Sequence, residues 1–435
     1  MGSYVHLGID YGTSASKVIF RDYDAPGGEK SYPLLFNGSF RIPSDLAIVG
    51  KQLYFGFAKG DQAAPRDAIW YQSVKMRVAV EHEAILYGAP FAQQSPPDGW
   101  TFEDLATLSV AWLIKKAREA AAEIITRKTK LEFGMTLGVP SDLLYSATTR
   151  DGFLKIAMAA WHLDRAHAVK GDEVLLNPTL RQHVHSALIH ALPPPKDQEI
   201  VDHWLRSEAR SSIWWAWETP ELESEPYVKI DIGAGTTNTA AFLITAAATR
   251  SKSKATVWRK TGIAVFGAAS GTVGMNILLA TPNATNIFAP VLSSTPRGST
   301  PLQRAFEQPY RSVFGKIHFL TKNNPAATAQ WRRTRLIMLG GGSVNIDACS
   351  ALRFDPFNQS NNFAPIIFKR LPGDLQQIKN TSAAHQSARL SLTVAYGLSV
   401  INDALPSERL PGEMIPVEKL PPRRGPTTLA GIYDK

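Results

Sequence analysis

Two short stretches hold the residue types that could grip a charged ligand. Residues 9–19 read Ile-Asp-Tyr-Gly-Thr-Ser-Ala-Ser-Lys-Val-Ile. From Val228 the chain runs Val-Lys-Ile-Asp-Ile-Gly-Ala-Gly-Thr-Thr-Asn-Thr-Ala-Ala-Phe-Leu-Ile. Each is an apolar strand ending in an aspartate, then a glycine turn, hydroxyl side chains and a returning strand. A glycine turn aims successive backbone N–H groups into one space and so cradles phosphate oxygens. Thr13 and Ser14 in the first turn, and Thr236 and Thr237 in the second, add hydroxyl donors. Phosphate charge needs a divalent cation, and short carboxylates at strand ends, Asp10 and Asp231, suit Mg²⁺ that keeps part of its water shell. Either turn alone reads as readily as an ordinary hairpin. The pair, followed by Gly340-Gly341-Gly342-Ser343 after a short apolar strand, points to a phosphate chain gripped from two sides.

Competing phosphate sites fail on spacing. Gly27-Gly28-Glu29-Lys30-Ser31 lacks the Gly-Lys adjacency of a P-loop. The turn at Gly233 opens as G-x-G but has Asn238 at the sixth position and leads into a strand, where a dinucleotide fingerprint needs a helix. His183, His185 and His190 have no cysteine or carboxylate partner that would suggest a metal centre, and read as a polar helix face.

The elements that must position these residues follow from periodicity. A hairpin spans residues 4–20, with strand runs at 46–49, 53–57 and 68–76. Thr101 and Asp104 form a capping-box start. Leu105, Leu108, Trp112, Ala117, Ala120 and Ile124 then keep one helical stripe. A buried strand is expected over 133–139 and a helix over 150–163. Past a Pro193–Pro195 loop, residues 199–217 read as helix. Strand runs follow from Val228, at 256–259, at 264–266 and at 335–339, with a helix-like stretch to about Phe319 and a small-residue helix over 390–405.

Composition bounds the class. The 435 residues exceed what one core ordinarily serves, so two lobes are expected. No run of 18 apolar residues occurs, so no membrane span is expected. The residues from Tyr4 read as a strand, so no leader is expected, His6 defeats a myristoylation motif, and Cys349 is the single cysteine. Cytoplasm is the default expectation. The net charge of +9 suits an anionic partner, but the basic runs lack the interleaved aromatics of a base-stacking surface, so nucleic acid is only weakly supported.

Together Ile9-Asp10-x-Gly12-Thr13-Ser14, Ile230-Asp231-Ile232-Gly233-Ala234-Gly235-Thr236-Thr237 and Leu339-Gly340-Gly341-Gly342-Ser343 resemble the phosphate-1, phosphate-2 and adenosine motifs of the actin/sugar-kinase/heat-shock ATPase superfamily. The chain looks most like the nucleotide-binding domain of the 70-kDa heat-shock chaperones. Pro43–Ala47, Phe55-Gly56-x-Ala58-Lys59, Ser73–Arg77, Val139-Pro140 and Ala395-Tyr396-Gly397 follow that family's order.

The resemblance implies an α/β, actin-like ATPase fold of two ribonuclease-H-like lobes around a nucleotide cleft. Lobe I would span 1–225, lobe II 226–391, a helix returning to lobe I 392–410, and a proline-rich tail 411–435. It implies ATP or ADP and Mg²⁺ as ligands, a slow ATPase and a protein partner that reads the nucleotide state. Asp10 and Asp231 would organise the metal. Gly12, Thr13, Ser14, Gly233, Ala234, Gly235, Thr236 and Thr237 would hold phosphates, and Gly340, Gly341, Gly342 and Ser343 would approach adenosine. Lys75 and Thr236 would place the attacking water, and Glu208 stands where the family has a catalytic glutamate. Arg311 and Lys316 are candidates for the adenine side.

Ala234 and Asn238 depart from the family pattern, Asn238 removing a negative charge near the metal. Hydrolysis is therefore expected to be slow. These 435 residues leave no room for a peptide-binding sandwich, so neither that domain nor a complete peptide-clamping cycle in one polypeptide is expected. The other readings are an actin-like filament or scaffold ATPase, a small-molecule kinase for which no acceptor base is found, and a nucleic-acid module.

Overall fold

The computed structural model describes residues 3–82, 95–126, 130–191, 201, 203–218, 225–233, 236–250, 256–271, 312–340, 371–378 and 381–401. It is a mixed α/β structure.

The first hairpin is β1 (Ser3–Asp10) and β2 (Ala15–Asp22), followed by β3 (Lys30–Pro33) and β4 (Ile42–Pro43). Next come β5 (Leu46–Val49), β6 (Gln52–Tyr54) and β7 (Ile69–Tyr71), then helix α1 (Val74–His82). Only the first part of the 68–76 run is therefore strand. Ser73 takes a left-handed φ of 58° and ends it. Its carbonyl then accepts from the Met76 and Arg77 N–H groups, which opens the helix.

Helix α2 (Phe102–Ile124) has both halves of the capping box. Thr101 Oγ1 accepts from the Asp104 N–H at 3.0 Å, and the Thr101 N–H donates to Asp104 Oδ2 at 2.9 Å. Its stripe through Leu105, Leu108 and Trp112 is buried, as a 3.6-residue period requires. Beyond it lie β8 (Leu131–Val139), α3 (Ser141–Tyr145), α4 (Ala147–Arg165), β9 (Glu173–Leu175), α5 (Pro178–His190) and β10 (Leu205–Ser207). Helix α6 (Glu208–Glu218) follows at once. The continuous helix expected over 199–217 is thus interrupted, because Leu205–Ser207 pairs parallel with Leu137–Val139 and takes the sheet's edge.

The later elements are β11 (Pro226–Ile232), β12 (Thr237–Arg250) and β13 (Thr256–Gly271). After them come a helix α7 over 312–321, α8 (Pro325–Trp331), β14 (Arg335–Leu339), α9 (Ser382–Ser391) and α10 (Thr393–Leu398). The two short strand runs expected near 256 and 264 are one strand, with shifts in register opposite Ala241–Phe242 and Thr245–Ala246 absorbing the irregular pattern. The helix expected over 390–405 is instead two, joined at Leu392 and ending at Leu398. Residues 402–405 and the tail lie outside the described residues.

Two of the three sheets share one plan. In the first, the order is β10-β8-β1-β2-β3, with β1 antiparallel to β2 and parallel to β8. In the second it is β13-β12-β11-β14, with β11 antiparallel to β12 and parallel to β14. A smaller sheet runs β7-β5-β6-β9. The larger core surrounds α2 and α4. A second core brings Ile19, the α6 residues Ile213 and Trp215, Tyr227 and Phe242 of the second sheet, and Tyr396 into one cluster.

Helix α10 lies against β1 and α6, close enough that a Cβ on Gly8 would overlap the Ala395 carbonyl oxygen. The chain after it is clamped. Arg206, itself buried, donates to the Gly397 and Val400 carbonyls at 3.0 and 2.8 Å, and Tyr23 donates to the Ser399 carbonyl at 3.0 Å. Among the described residues no helix is long and apolar enough to cross a membrane.

Candidate functional site

The two hairpins are built alike. Asp10 faces Lys17 across β1 and β2, and Asp231 faces Asn238 across β11 and β12, so each aspartate has its cross-strand partner seven positions on. In both, the glycine two positions past the aspartate lies against the carbonyl three residues further on. A Cβ at Gly12 would overlap the Ala15 oxygen, and one at Gly233 would stand 2.9 Å from the Thr236 oxygen. The Gly233 N–H donates to that Thr236 oxygen at 2.9 Å. Both turns therefore need a residue without a side chain there.

Their tips also come together. Asp10, Glu208 and Asp231 are all buried. Desolvation pushes the Asp231 carboxyl up to about 6. The negative charges of Asp10 and Glu208 add to that rise, while Lys229 and Lys17 oppose it. Side chains from β1, β2 and α6 thus act on the carboxyl at the end of β11. The strands that deliver them, β1, β10, β11 and β14, run parallel to a neighbour in their sheets. The site lies past their carboxyl ends, where open α/β sheets ordinarily place ligands.

Cations answer these acids. Lys17 Nζ donates to Asp10 Oδ2 at 2.9 Å. Lys75, buried in the first turn of α1, donates to Glu208 Oε1, and Asn238 Nδ2 donates to Glu208 Oε2 at 2.8 Å. Lys229, fully buried, donates to the Ala209 carbonyl at 2.8 Å and to Ser212 Oγ. One glutamate at the start of α6 thus joins α1 to β12, and one lysine joins β11 to α6. A carboxylate left in this setting without its cations would be strongly disfavoured.

Thr13 and Thr236 are buried at the two turns, and the Ser14 carbonyl accepts from the Ser44 N–H at 3.1 Å. Thr237 opens β12. Gly340 leaves β14 next to Asp231, whose register partner is Leu339. It has a φ of 82° and its N–H donates to the Leu390 carbonyl at 2.9 Å. Ala234, Gly235, Gly341, Gly342, Ser343 and Arg311 lie outside the described residues. Lys316 lies on α7, where its ammonium sits 5.5 Å from the centre of the Phe319 ring. His183, His185 and His190 are exposed on α5.

Lys17 and Lys229 are members of this cluster that the motifs alone do not mark. The signal for Lys17 was present: it holds the position after its aspartate that Asn238 holds after the other. For Lys229 no local signal existed, because in a strand that reads as amphipathic it looks like an exposed lysine.

Among the described residues no group of three or more His, Cys, Asp or Glu side chains could form a metal cage. Mg²⁺ is ordinarily held by one or two carboxylates together with waters and substrate phosphates. Asp10 and Asp231 are the residues that would hold it here. No protein-family model and no curated protein matches the chain.

Proposed function

We propose that the chain is an ATP-binding, slowly hydrolysing two-lobed switch of the heat-shock ATPase type, whose nucleotide state is read by a partner protein. The observation that carries this reading is two like-built aspartate hairpins, from two sheets that share a four-strand arrangement, acting on one buried acid–lysine cluster. On this reading the sheets around β1 and β11 are ribonuclease-H-like lobes, and the nucleotide lies between them.

The residues then divide the work. The Gly12–Ser14 and Gly233–Thr237 turns present N–H and hydroxyl donors to the phosphates. Lys17, already within reach of Asp10, turns its ammonium to a phosphate oxygen. Asp10 and Asp231 hold Mg²⁺, whose chemistry there is charge compensation of the phosphates. Gly340 to Ser343 let the backbone approach adenosine. Lys75 orients the attacking water, and Thr236 supports it. Because each turn belongs to a different lobe, a ligand gripped by both favours the closed arrangement over the open one.

Slow turnover follows from Glu208. Both its oxygens are already engaged, by Lys75 and by Asn238, so its carboxylate holds those donors in place and is poorly free to take a proton from water. Phosphoryl transfer relies mainly on positioning and charge, so tight binding with weak hydrolysis is the expected behaviour.

The test is titration calorimetry with ATP and ADP, with and without Mg²⁺, on the wild type, Asp10→Ala and Asp231→Ala, followed by phosphate release. Mg-dependent affinity that both variants lose would support the reading. Unchanged affinity in both would remove it, and ATP-dependent pelleting would favour a filament-forming ATPase instead.

A further inference from the structure

At the opposite end of the first sheet lies a cleft that the proposed nucleotide site does not use. It is about 550 Å³ and opens where β1 and β8 begin, between the second half of α2 and the end of α4. Tyr4 on its wall and Asp10 at the nucleotide site are six residues apart on one strand, which is roughly 20 Å. A cavity of this size suits a small molecule.

Its lining is aromatic and cationic. The rings are those of Tyr4, Phe133 and Trp161, each half-buried. Arg118 is fixed among them: its guanidinium pairs with buried Asp164 and lies 5.2 Å over the centre of the Phe133 ring. Trp161 meets the Trp204 ring edge-on at 6.2 Å, so its position too is set by packing. Lys130 and Arg165 stand exposed at the cleft, and neither has an ion-pair partner among the described residues. Glu132 is the single acid of the lining.

At the rim, His167 closes α4 in the left-handed position common at helix ends, at a φ of 53°, with its N–H on the Asp164 carbonyl at 2.9 Å and the Ala168 N–H on the Leu163 carbonyl at 3.0 Å.

We propose that this cleft is a second binding site, for a small aromatic anion. The ligand's ring packs on the Trp161, Phe133 and Tyr4 rings, and its phosphate or carboxylate meets Lys130 and Arg165. Ring and charge together select it. Aromatic walls favour a planar body, and an arginine and a lysine without an ion-pair partner among the described residues favour an anionic head. A nucleoside monophosphate and an aromatic carboxylate share that chemistry. The proposal does not depend on nucleotide binding at the aspartate hairpins.

The experiment is titration calorimetry of the full chain with AMP, with 2-naphthoate and with inorganic phosphate. It uses the wild type, the Lys130→Glu/Arg165→Glu and Lys130→Ala/Arg165→Ala double variants, and Asp231→Ala. At least one ring-bearing anion binds the wild type and Asp231→Ala equally, loses about tenfold or more in affinity on charge reversal and less on alanine substitution, and exceeds phosphate by a similar factor. Tighter AMP assigns the phosphate source, and tighter 2-naphthoate the carboxylate source. Lys130 and Arg165 are exposed, so the melting temperatures of the double variants stay at the wild-type value. The proposal is overturned if neither ring compound binds by about 5 mM, if both double variants bind as the wild type does, or if phosphate alone binds as tightly.

Discussion

Replacing Asp231 by asparagine separates stability from ligand binding. The carboxyl is buried and raised from 3.8 to about 6, with burial the leading cause. An acid whose folded value lies above its unfolded value is favoured in the fold when protonated. Its contribution is fully present below about pH 4 and is lost as the pH climbs through about 6. A shift of roughly two units corresponds to about 3 kcal/mol of penalty at neutral pH, at 1.36 kcal/mol per unit. Asp231→Asn removes the charge and keeps the shape, so it should stabilise the ligand-free protein at pH 7.5 by about 1–3 kcal/mol. Urea denaturation from pH 4 to pH 8 reads this directly: the variant's advantage should grow with pH and fall below about 1 kcal/mol near pH 4. The same variant should lose Mg-dependent nucleotide affinity. A variant less stable than the wild type at pH 7.5, or an advantage that shrinks as pH rises, would refute the reasoning.

Further expectations address the neighbouring parts. Gly12→Ala should weaken ATP binding more than Gly233→Ala, since its new Cβ overlaps the Ala15 oxygen while the other stands 2.9 Å from the Thr236 oxygen; ATP titration of both variants checks the order. Asn238→Asp removes a donor from Glu208 and sets two carboxylates in contact. Its melting temperature should fall at pH 7.5 and recover near pH 5, where the pair can share a proton. Lys75→Ala leaves Glu208 buried without its cation and should lower stability by about 3 kcal/mol, measured by chemical denaturation. Thr101→Ala removes the cap of α2 and should lower stability by about 1 kcal/mol by the same measurement.

The parts legible in the sequence were those where local pattern and tertiary role agree. The Asp10 and Asp231 hairpins, the capped start of α2 and the strand over 335–339 all stand where periodicity and turn chemistry place them. Where the two conflict, the tertiary role wins. Lys75 and Met76 continue an alternating run yet begin a helix, because the left-handed Ser73 breaks the strand before them. Leu205–Ser207 reads as the middle of a helix yet completes a sheet edge. The candidate site was legible as two turns, but its electrostatics was not. Lys17 and Lys229 look like surface lysines in the local pattern, and only the family resemblance brings Lys75 to the site. Only the fold shows that each answers a buried carboxylate or caps a buried carbonyl. The aromatic and cationic cleft is likewise assembled from four separate segments, which no window of sequence contains.

The most direct measurement of the central claim uses Mn²⁺·ATP in place of Mg²⁺·ATP with isoleucine methyl-labelled protein. Ile9 and Ile230 precede the two aspartates, on different sheets. If the hairpins clasp one metal-bound nucleotide, the paramagnetic ion should broaden both methyl signals together, leave that of Ile189 on α5 sharp, and broaden none in Asp231→Ala. Broadening of one hairpin alone, or of neither at saturating nucleotide, would contradict the account.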